Sequence, residues 1–419
     1  MVSLILVTVC SSCIVSRQSG GMKGHQMIDL IFALETKIIE FILHAIPHAG
    51  IFALDIASAF PSLSRKYLFW ILKRMAIPKR LRRIIKSLHR SSKGLICFRN
   101  LLFGSIMMHT GVKQGDPSAM QLFIIAYDPL IRFIDASLAP VDHLLLPYCD
   151  DLALACVNVV AAWKTLVRCF VIIEKVSFLS LNCDKTQFLL TSGSTRDGDI
   201  DSIIATDSSV SRNQFLEAIK YLGIFLGNDS IRANWTPVIH EYLATSKFIA
   251  SLDCGLLTKI SLYNMLSISK LSFVASFFAP NKDALCAENR ALQLLARGPW
   301  NAIPANMLKH VKQIGMPAQA TDLRLLSSAS RVRVAHCTSK TVLAYHVELE
   351  RVFQSQETIV RLLDRTAPVK KRKKRKNILI GSSLTPRAST PFVVSMQILL
   401  LGWTLIALEL SPRRGYIRP

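Results

Sequence analysis

The chain has 419 residues, of which 51% are hydrophobic and 19% charged, so it can build a large core divided over two or three domains. Lys and Arg number 51 against 28 Asp and Glu, a formal net charge of +23, which points to a polyanionic partner: nucleic acid first, an acidic membrane surface second. Ten cysteines are scattered, and only Cys10 and Cys13 form a CxxC with no second pair behind it, which excludes a disulfide framework and a zinc ribbon and indicates a reducing compartment.

Residues 1–19 form an atypical apolar N-terminus that lacks the basic region of a signal peptide. It reads either as an anchor or as sequence translated outside the ancestral frame. Met27–Leu43 has helical periodicity. "GIFALDIASAF" (50–60) opens as an apolar strand and ends polar. Ser64–Met75 and Lys79–Ser91 are expected to be helices. The second carries Lys79, Arg80, Arg82, Arg83, Lys86 and Arg90.

Short strands are expected near Leu95–Phe98 and Ser105–His109. "GVKQGDPSA" (111–119) is a Gly/Pro-punctuated loop feeding an apolar helix at about Met120–Ala136. "LLLPYCDDLALA" (144–155) reads as strand, turn, strand, with Asp150 and Asp151 at the turn. A helix is expected over about Ala161–Leu179, and apolar strands at Thr186–Thr191 and Tyr221–Leu226. Residues 193–213, rich in Ser, Asp and Gly, are expected to be a surface loop. Beyond Trp235 the chain reads as helical to about Leu363. The basic run "KKRKKRK" (370–376) and an apolar tail follow. There are no internal repeats. This order of elements predicts an α+β fold, an antiparallel sheet backed by helices.

Two adjacent carboxylates in an apolar stretch need an explanation, because burying an ionised carboxylate is costly unless it is paired or holds a metal. A solvated hairpin tip is one. A divalent-cation site is the other, and it needs a third carboxylate. Asp55 supplies it, at the end of an apolar strand of the same design. If the two strands are neighbours, their carboxylates converge at one sheet edge. Three carboxylates suit Mg²⁺, and two such ions about 3.5–4 Å apart serve in-line phosphoryl transfer.

These segments resemble the palm of a reverse transcriptase, in particular that of non-LTR (LINE-type) retrotransposons. "FALDIASAFPSLS" resembles palm motif A, "GVKQGDPSAMQLF" motif B, "YCDDLALA" the Tyr-x-Asp-Asp of motif C, and "LSLNCDKTQFLL" motif D. "YLGIFLG" resembles the strand pair that follows, and "GGMKGHQMIDLIFALET" (20–36) the lead-in. The match covers about residues 20–228, roughly half the chain. The resemblance implies a right-hand polymerase palm followed by a mainly helical, thumb-like region. The expected divisions are 20–228 for the fingers remnant and palm, 229–365 for the helical region, and 366–419 for the basic run and tail.

Residue by residue, the resemblance implies that Asp55, Asp150 and Asp151 hold two Mg²⁺ ions (or Mn²⁺), with the Ile56 carbonyl as an extra ligand. Phe60 matches the aromatic beneath the incoming sugar, which selects dNTP over rNTP; a core Phe is the alternative. Gln114 and Gly115 match the nucleotide-contacting pair, and Tyr148 a position near the primer terminus. Lys185 would be the general acid for the leaving pyrophosphate, or a solvated lysine. The partners implied are an RNA template, a DNA primer and dNTP; no protein partner is inferable. The basic helix at 79–90 and the region after 235 would grip the template–primer backbone.

The pattern also departs from the family. Ser118-Ala119-Met120 stands where Leu-Ser-Pro is usual. The family's first fingers strands, expected ahead of residue 20, have no counterpart, which implies a chain shortened at its N-terminus. Two other readings stay open: an inactive remnant that binds nucleic acid without polymerising, and a membrane protein anchored through its apolar ends, including 392–410. The basic run fits nuclear import, so the expected location is nuclear or cytoplasmic.

Overall fold

The computed structural model describes residues 5–8, 10, 14, 18–22, 24–90, 92–193, 195–296 and 303–337. The chain divides into two compact units, 1–227 and 228–419. The expected helical stretch beyond 337, the basic run and the apolar tail lie outside the described residues. Among the described residues no helix is long and apolar enough to cross a membrane.

The first unit is built on a four-stranded antiparallel sheet. Its strands are β1 (Gly50–Leu54), β4 (His143–Tyr148), β5 (Asp151–Cys156) and β6 (Gln187–Leu190), in the order β4-β5-β1-β6. β1 is central and buried throughout, which is why it reads as a continuous apolar run rather than an alternating one. Phe52 and Leu54 join Leu152, Leu154 and Phe188 in the main hydrophobic cluster. Helices α3 (Arg65–Arg74), α5 (Ala119–Leu138) and α6 (Val159–Ser177) supply much of the rest of that cluster. Phe52, Trp163 and Phe188 meet edge to face, with ring centroids 5.0–5.7 Å apart. Ile51, Ala53, Ala153 and Leu189 alternate onto the opposite face and are buried as well. Helix α1 (Met27–Leu43) packs against β1, β4 and β5.

Three expectations change. Residues 93–107 form a hairpin, β2 (Lys93–Phe98) and β3 (Leu101–Met107), so only Arg99 and Asn100 remain as connection. Both have positive φ, +47° and +61°, the backbone a two-residue hairpin loop demands. Residues 193–213 are not simply a loop: α7 (Arg196–Thr206) runs through them and packs against α6. Ile200 and Ile203, with the half-buried Ile204, give it a short apolar stripe, too little to stand out from its Ser, Asp and Gly. Finally, the single apolar strand read at Tyr221–Leu226 is the strand pair that the resemblance implied, a hairpin of β7 (Ala218–Tyr221) and β8 (Ile224–Gly227) turning at Leu222 and Gly223. Between α1 and β2 lie the short helix α2 (Ala59–Ser62), α3 and the basic helix α4 (Lys79–His89).

The second unit is helical. α8 (Ser230–Ser251), α9 (Leu256–Leu262), α10 (Ile268–Phe277), α11 (Lys282–Ala296) and α12 (Leu323–Cys337) follow one another, with a π-helical turn at Tyr263–Ser267 between α9 and α10. Its interior holds Trp235, Tyr242 and Tyr263, and the two tyrosine hydroxyls meet at 3.1 Å.

Residues 1–19 are not idle in the described portion. Leu6 and Cys10 are buried in the main cluster, and Gln18 reaches the β4–β5 turn. The eight described cysteines whose side chains are defined are all free thiols.

Candidate active site

The site follows from strand register. β1 and β5 run antiparallel with Leu54 opposite Leu152. One step further, the strand ends bring Asp55 opposite Asp151. Tyr148 pairs with Asp151 across the β4–β5 turn, whose two loop residues are Cys149 and Asp150. The apolar runs fold into the sheet's middle, and the carboxylates emerge where the pairing stops.

Asp55 and Asp151 line a cavity of about 420 Å³ together with Lys185, Gln187, Gln214, Lys220 and Tyr221. Asp150 stands in the turn beside it and acts on the cavity through its charge. Although the Asp151 side chain is open to solvent, its carboxyl is pushed up to about 6. Loss of hydration near the turn is the largest cause, and the charges of Asp150 and Asp55 follow. The phenol of Tyr148 is raised by burial first, then by Cys149 and Asp151. Burial, and then the same two aspartates of the turn, Asp150 and Asp151, push the Cys149 thiol up to about 12.

Lys185 ends a 3-10 turn, Cys183–Lys185, and its Nζ lies 3.9 Å from Asp55 Oδ2. The segment before it is tied to motif A: Asn182 donates to the Asp55 carbonyl at 2.8 Å, and Ala57 to the Ser180 carbonyl at 2.9 Å. Those two bonds flank the Ile56–Leu181 bridge and leave the Ile56 carbonyl outside it.

The remaining expected residues are placed as follows. Phe60, half-buried, stacks on Phe123 with centroids 4.7 Å apart, so its ring packs at the edge of the core. Its carbonyl accepts from Val112 at 3.0 Å and so ties it to the motif B loop. Gln114 and Gly115 are exposed in that loop and do not line the cavity. Gly115 has φ +86° and open space around it. On α4, Lys79, Arg80, Arg83 and Lys86 are exposed, as is Arg90 just past its end, whereas Arg82 is half-buried and spends its Nε on the Ile77 carbonyl at 2.9 Å. No Asp or Glu occurs between Asp55 and Asp116, a span holding 13 Lys and Arg.

Sequence reasoning missed four cavity residues. Gln214 Nε2 donates to the carbonyls of Cys183 and Thr186, bracing the turn that carries Lys185. Gln187 Oε1 accepts from Lys220 N at 2.8 Å. Tyr221 Oη donates to the Leu146 carbonyl at 2.8 Å, tying the β7–β8 hairpin to β4. The signal was "KYLG", which sets a cation and an aromatic just ahead of the positive-φ Gly223; its meaning needs the fold.

The donor set suits a divalent ion. It consists of oxygens only, and the Asp151 carboxyl, raised by burial first and by the charges of Asp150 and Asp55 after it, sits in an excess of negative charge that a hard cation relieves. Among the described residues, no group of three or more His, Cys, Asp or Glu side chains is gathered closely enough to hold a metal ion by itself. What the chain itself offers a cation is the carboxylates of Asp55 and Asp151 at the cavity, with Asp150 beside them.

Comparison with known proteins gives three findings. The model of the family "Reverse transcriptase (RNA-dependent DNA polymerase)" matches residues 1–226. The transposon TX1 uncharacterized 149 kDa protein of Xenopus laevis is 24% identical over 266 residues, 61% of this chain and 19% of that protein. The chain thus spans about a fifth of that relative's length. Among solved structures, telomerase from Candida albicans with a fragment of telomeric RNA gives a TM-score of 0.43 at 11% identity, over 88% of this chain and 57% of the other. Apo telomerase from Candida tropicalis gives 0.42 at 10%, over 88% and 59%.

Proposed function

The chain belongs to the reverse transcriptase (RNA-dependent DNA polymerase) family, and from that membership we propose that its first unit extends a DNA primer on an RNA template, in the manner of a non-LTR retroelement enzyme. The observation that carries this reading is the β1–β5 register, which sets Asp55 opposite Asp151 at one cavity with Lys185 beside them.

In this reading Asp55, Asp150 and Asp151, with the Ile56 carbonyl, would hold two Mg²⁺ ions, or Mn²⁺ in their place. When bound, such ions would supply charge neutralisation and a lowered hydroxyl pKa at the carboxylates. The primer 3′-oxygen forms a bond to the α-phosphorus of the dNTP as the bond from that phosphorus to the β-phosphate's bridging oxygen breaks. The hydroxyl proton passes to solvent, and pyrophosphate leaves with a proton from Lys185 Nζ.

The other residues position the reactants. Phe60, held by its stack on Phe123, offers a flat surface beneath the sugar and so favours dNTP. Gln114 and the unobstructed Gly115 contact the incoming nucleotide, where a bare backbone permits close approach. Tyr148 packs beside the primer end. Lys79, Arg80, Arg83, Lys86 and Arg90 grip phosphates irrespective of sequence, and Arg82 supports their helix from within.

The test is primer extension on an RNA template by the purified chain with Mg²⁺ or Mn²⁺, beside an Asp150→Ala/Asp151→Ala control. Extension lost in the control supports the reading. Binding of template–primer without extension overturns it in favour of a nucleic-acid-binding remnant.

A further inference from the structure

Gln18 belongs to none of the palm motifs, yet it is 1% exposed and touches the turn that carries both aspartates. Its Oε1 accepts from the Cys149 amide at 3.1 Å and from the Gly20 amide at 3.0 Å. Ser19 N donates to the Pro147 carbonyl at 3.3 Å. Residues 18–20 therefore run along the end of β4 and its turn. The approach is so close that a Cβ on Gly20 would stand 2.5 Å from Cys149 N.

The turn needs such support. Cys149 is the first of its two loop residues and has φ +53°, a region where a side chain is strained. A cysteine holds that conformation only against strain, where a glycine would adopt it freely. The orientation of the Gln18 amide is also decided by chemistry: both close neighbours are N–H donors, so the oxygen must face them. Its Nε2 has no partner among the described residues. The carbonyl is thus the working end of the side chain.

We propose that Gln18 is a positioning residue of the palm: its side-chain carbonyl clamps the Cys149 amide and thereby sets where Asp150 and Asp151 stand relative to Asp55. This rests on the polymerase reading, since it is for a metal centre that the placement of the two carboxylates matters. Groups that orient metal ligands from behind typically change affinity by about 10–100-fold when removed.

The test uses the full chain as wild type, Gln18→Leu, Gln18→Asn, Asp55→Asn and Ser177→Ala. Gln18→Asn keeps the amide but shortens its reach by one methylene. Ser177 is buried, and its hydroxyl donates to the Ile173 carbonyl at 2.7 Å, so Ser177→Ala controls for loss of a buried hydrogen bond elsewhere. Mn²⁺ affinity is read by electron paramagnetic resonance at one fixed pH, and exchange of the Cys149 amide by NMR. Both Gln18 variants are expected to weaken Mn²⁺ binding by about tenfold or more and to speed that exchange, with Ser177→Ala unchanged in both. Should Gln18→Leu fail to fold, Gln18→Asn decides alone. Wild-type Mn²⁺ affinity in Gln18→Asn, or an equal loss in Ser177→Ala, overturns the proposal. A wild type that binds no Mn²⁺ overturns the metal-centre reading and this proposal with it, whereas binding lost in Asp55→Asn but kept in Gln18→Asn overturns the role of Gln18 alone.

Discussion

Lys185 Nζ stands 3.9 Å from Asp55 Oδ2 at the mouth of the candidate site, and both side chains face solvent. An exposed pair of this kind contributes about 0–1 kcal/mol to stability, so its presence calls for a reason other than folding. Lys185→Ala should leave the melting temperature nearly unchanged and slow single-turnover primer extension by about a hundredfold, the lower range for loss of a general acid. Equal rates for variant and wild type would mark Lys185 as a solvated lysine.

The raised carboxyl of Asp151 gives a pH dependence with a definite sign. Its protonated form is favoured by the metal-free fold, so this group's contribution to stability is present below the ordinary aspartate range and is lost as pH rises through about 6. A divalent ion acts oppositely, since it binds the ionised form. Melting temperatures with and without Mn²⁺ should coincide at about pH 5 and separate above about pH 6, to an order of one pH unit. In the metal-free protein, Asp55→Asn removes one of the repelling charges and should lower the Asp151 midpoint, read by carboxyl-carbon NMR.

The basic helix α4 should act through charge alone. Lys79→Glu, Arg80→Glu and Arg83→Glu change exposed side chains, so folding should be little affected. Template–primer affinity should fall, and the slope of log affinity against log salt should flatten by about 0.7–0.9 for each phosphate no longer neutralised. Fluorescence anisotropy over a salt series checks this. An unchanged slope would remove α4 from the nucleic-acid surface.

Gly111 joins the motif B loop to the end of motif A. Its φ is +73°, and a Cβ would stand 2.4 Å from the Pro61 carbonyl oxygen and 2.6 Å from that of Phe60. Gly111→Ala cannot be absorbed by a side-chain shift, because the obstacles are backbone. It should cost about 1–3 kcal/mol in urea unfolding and, by moving Gln114 and Gly115, raise KM for dNTP more than it lowers kcat. Wild-type stability in this variant would show that the loop does not hold this conformation.

The sequence by itself determined the elements and their kinds wherever a period was strong. The apolar run of β1, the stripe of α1 and the Tyr-x-Asp-Asp hairpin each announce a buried face or a turn, because burial of side chains repeats with the backbone's own geometry. It also placed Asp55, Asp150 and Asp151 at strand ends, since an ionised group does not belong inside such a run. Elsewhere local signals were silent. Helix α7 was hidden because three isoleucines suffice to dock it, and the hairpin turns at Arg99–Asn100 and Leu222–Gly223 depend on backbone angles that most side chains mask. Only the tertiary structure decided that Leu54 pairs with Leu152, and hence that Asp55 meets Asp151. Only it brought Gln18 to Cys149, Gln214 under the Lys185 turn and Tyr221 to Leu146. Register and long-range hydrogen bonds join residues far apart in the chain, and no local pattern encodes a partner that folding has yet to bring near.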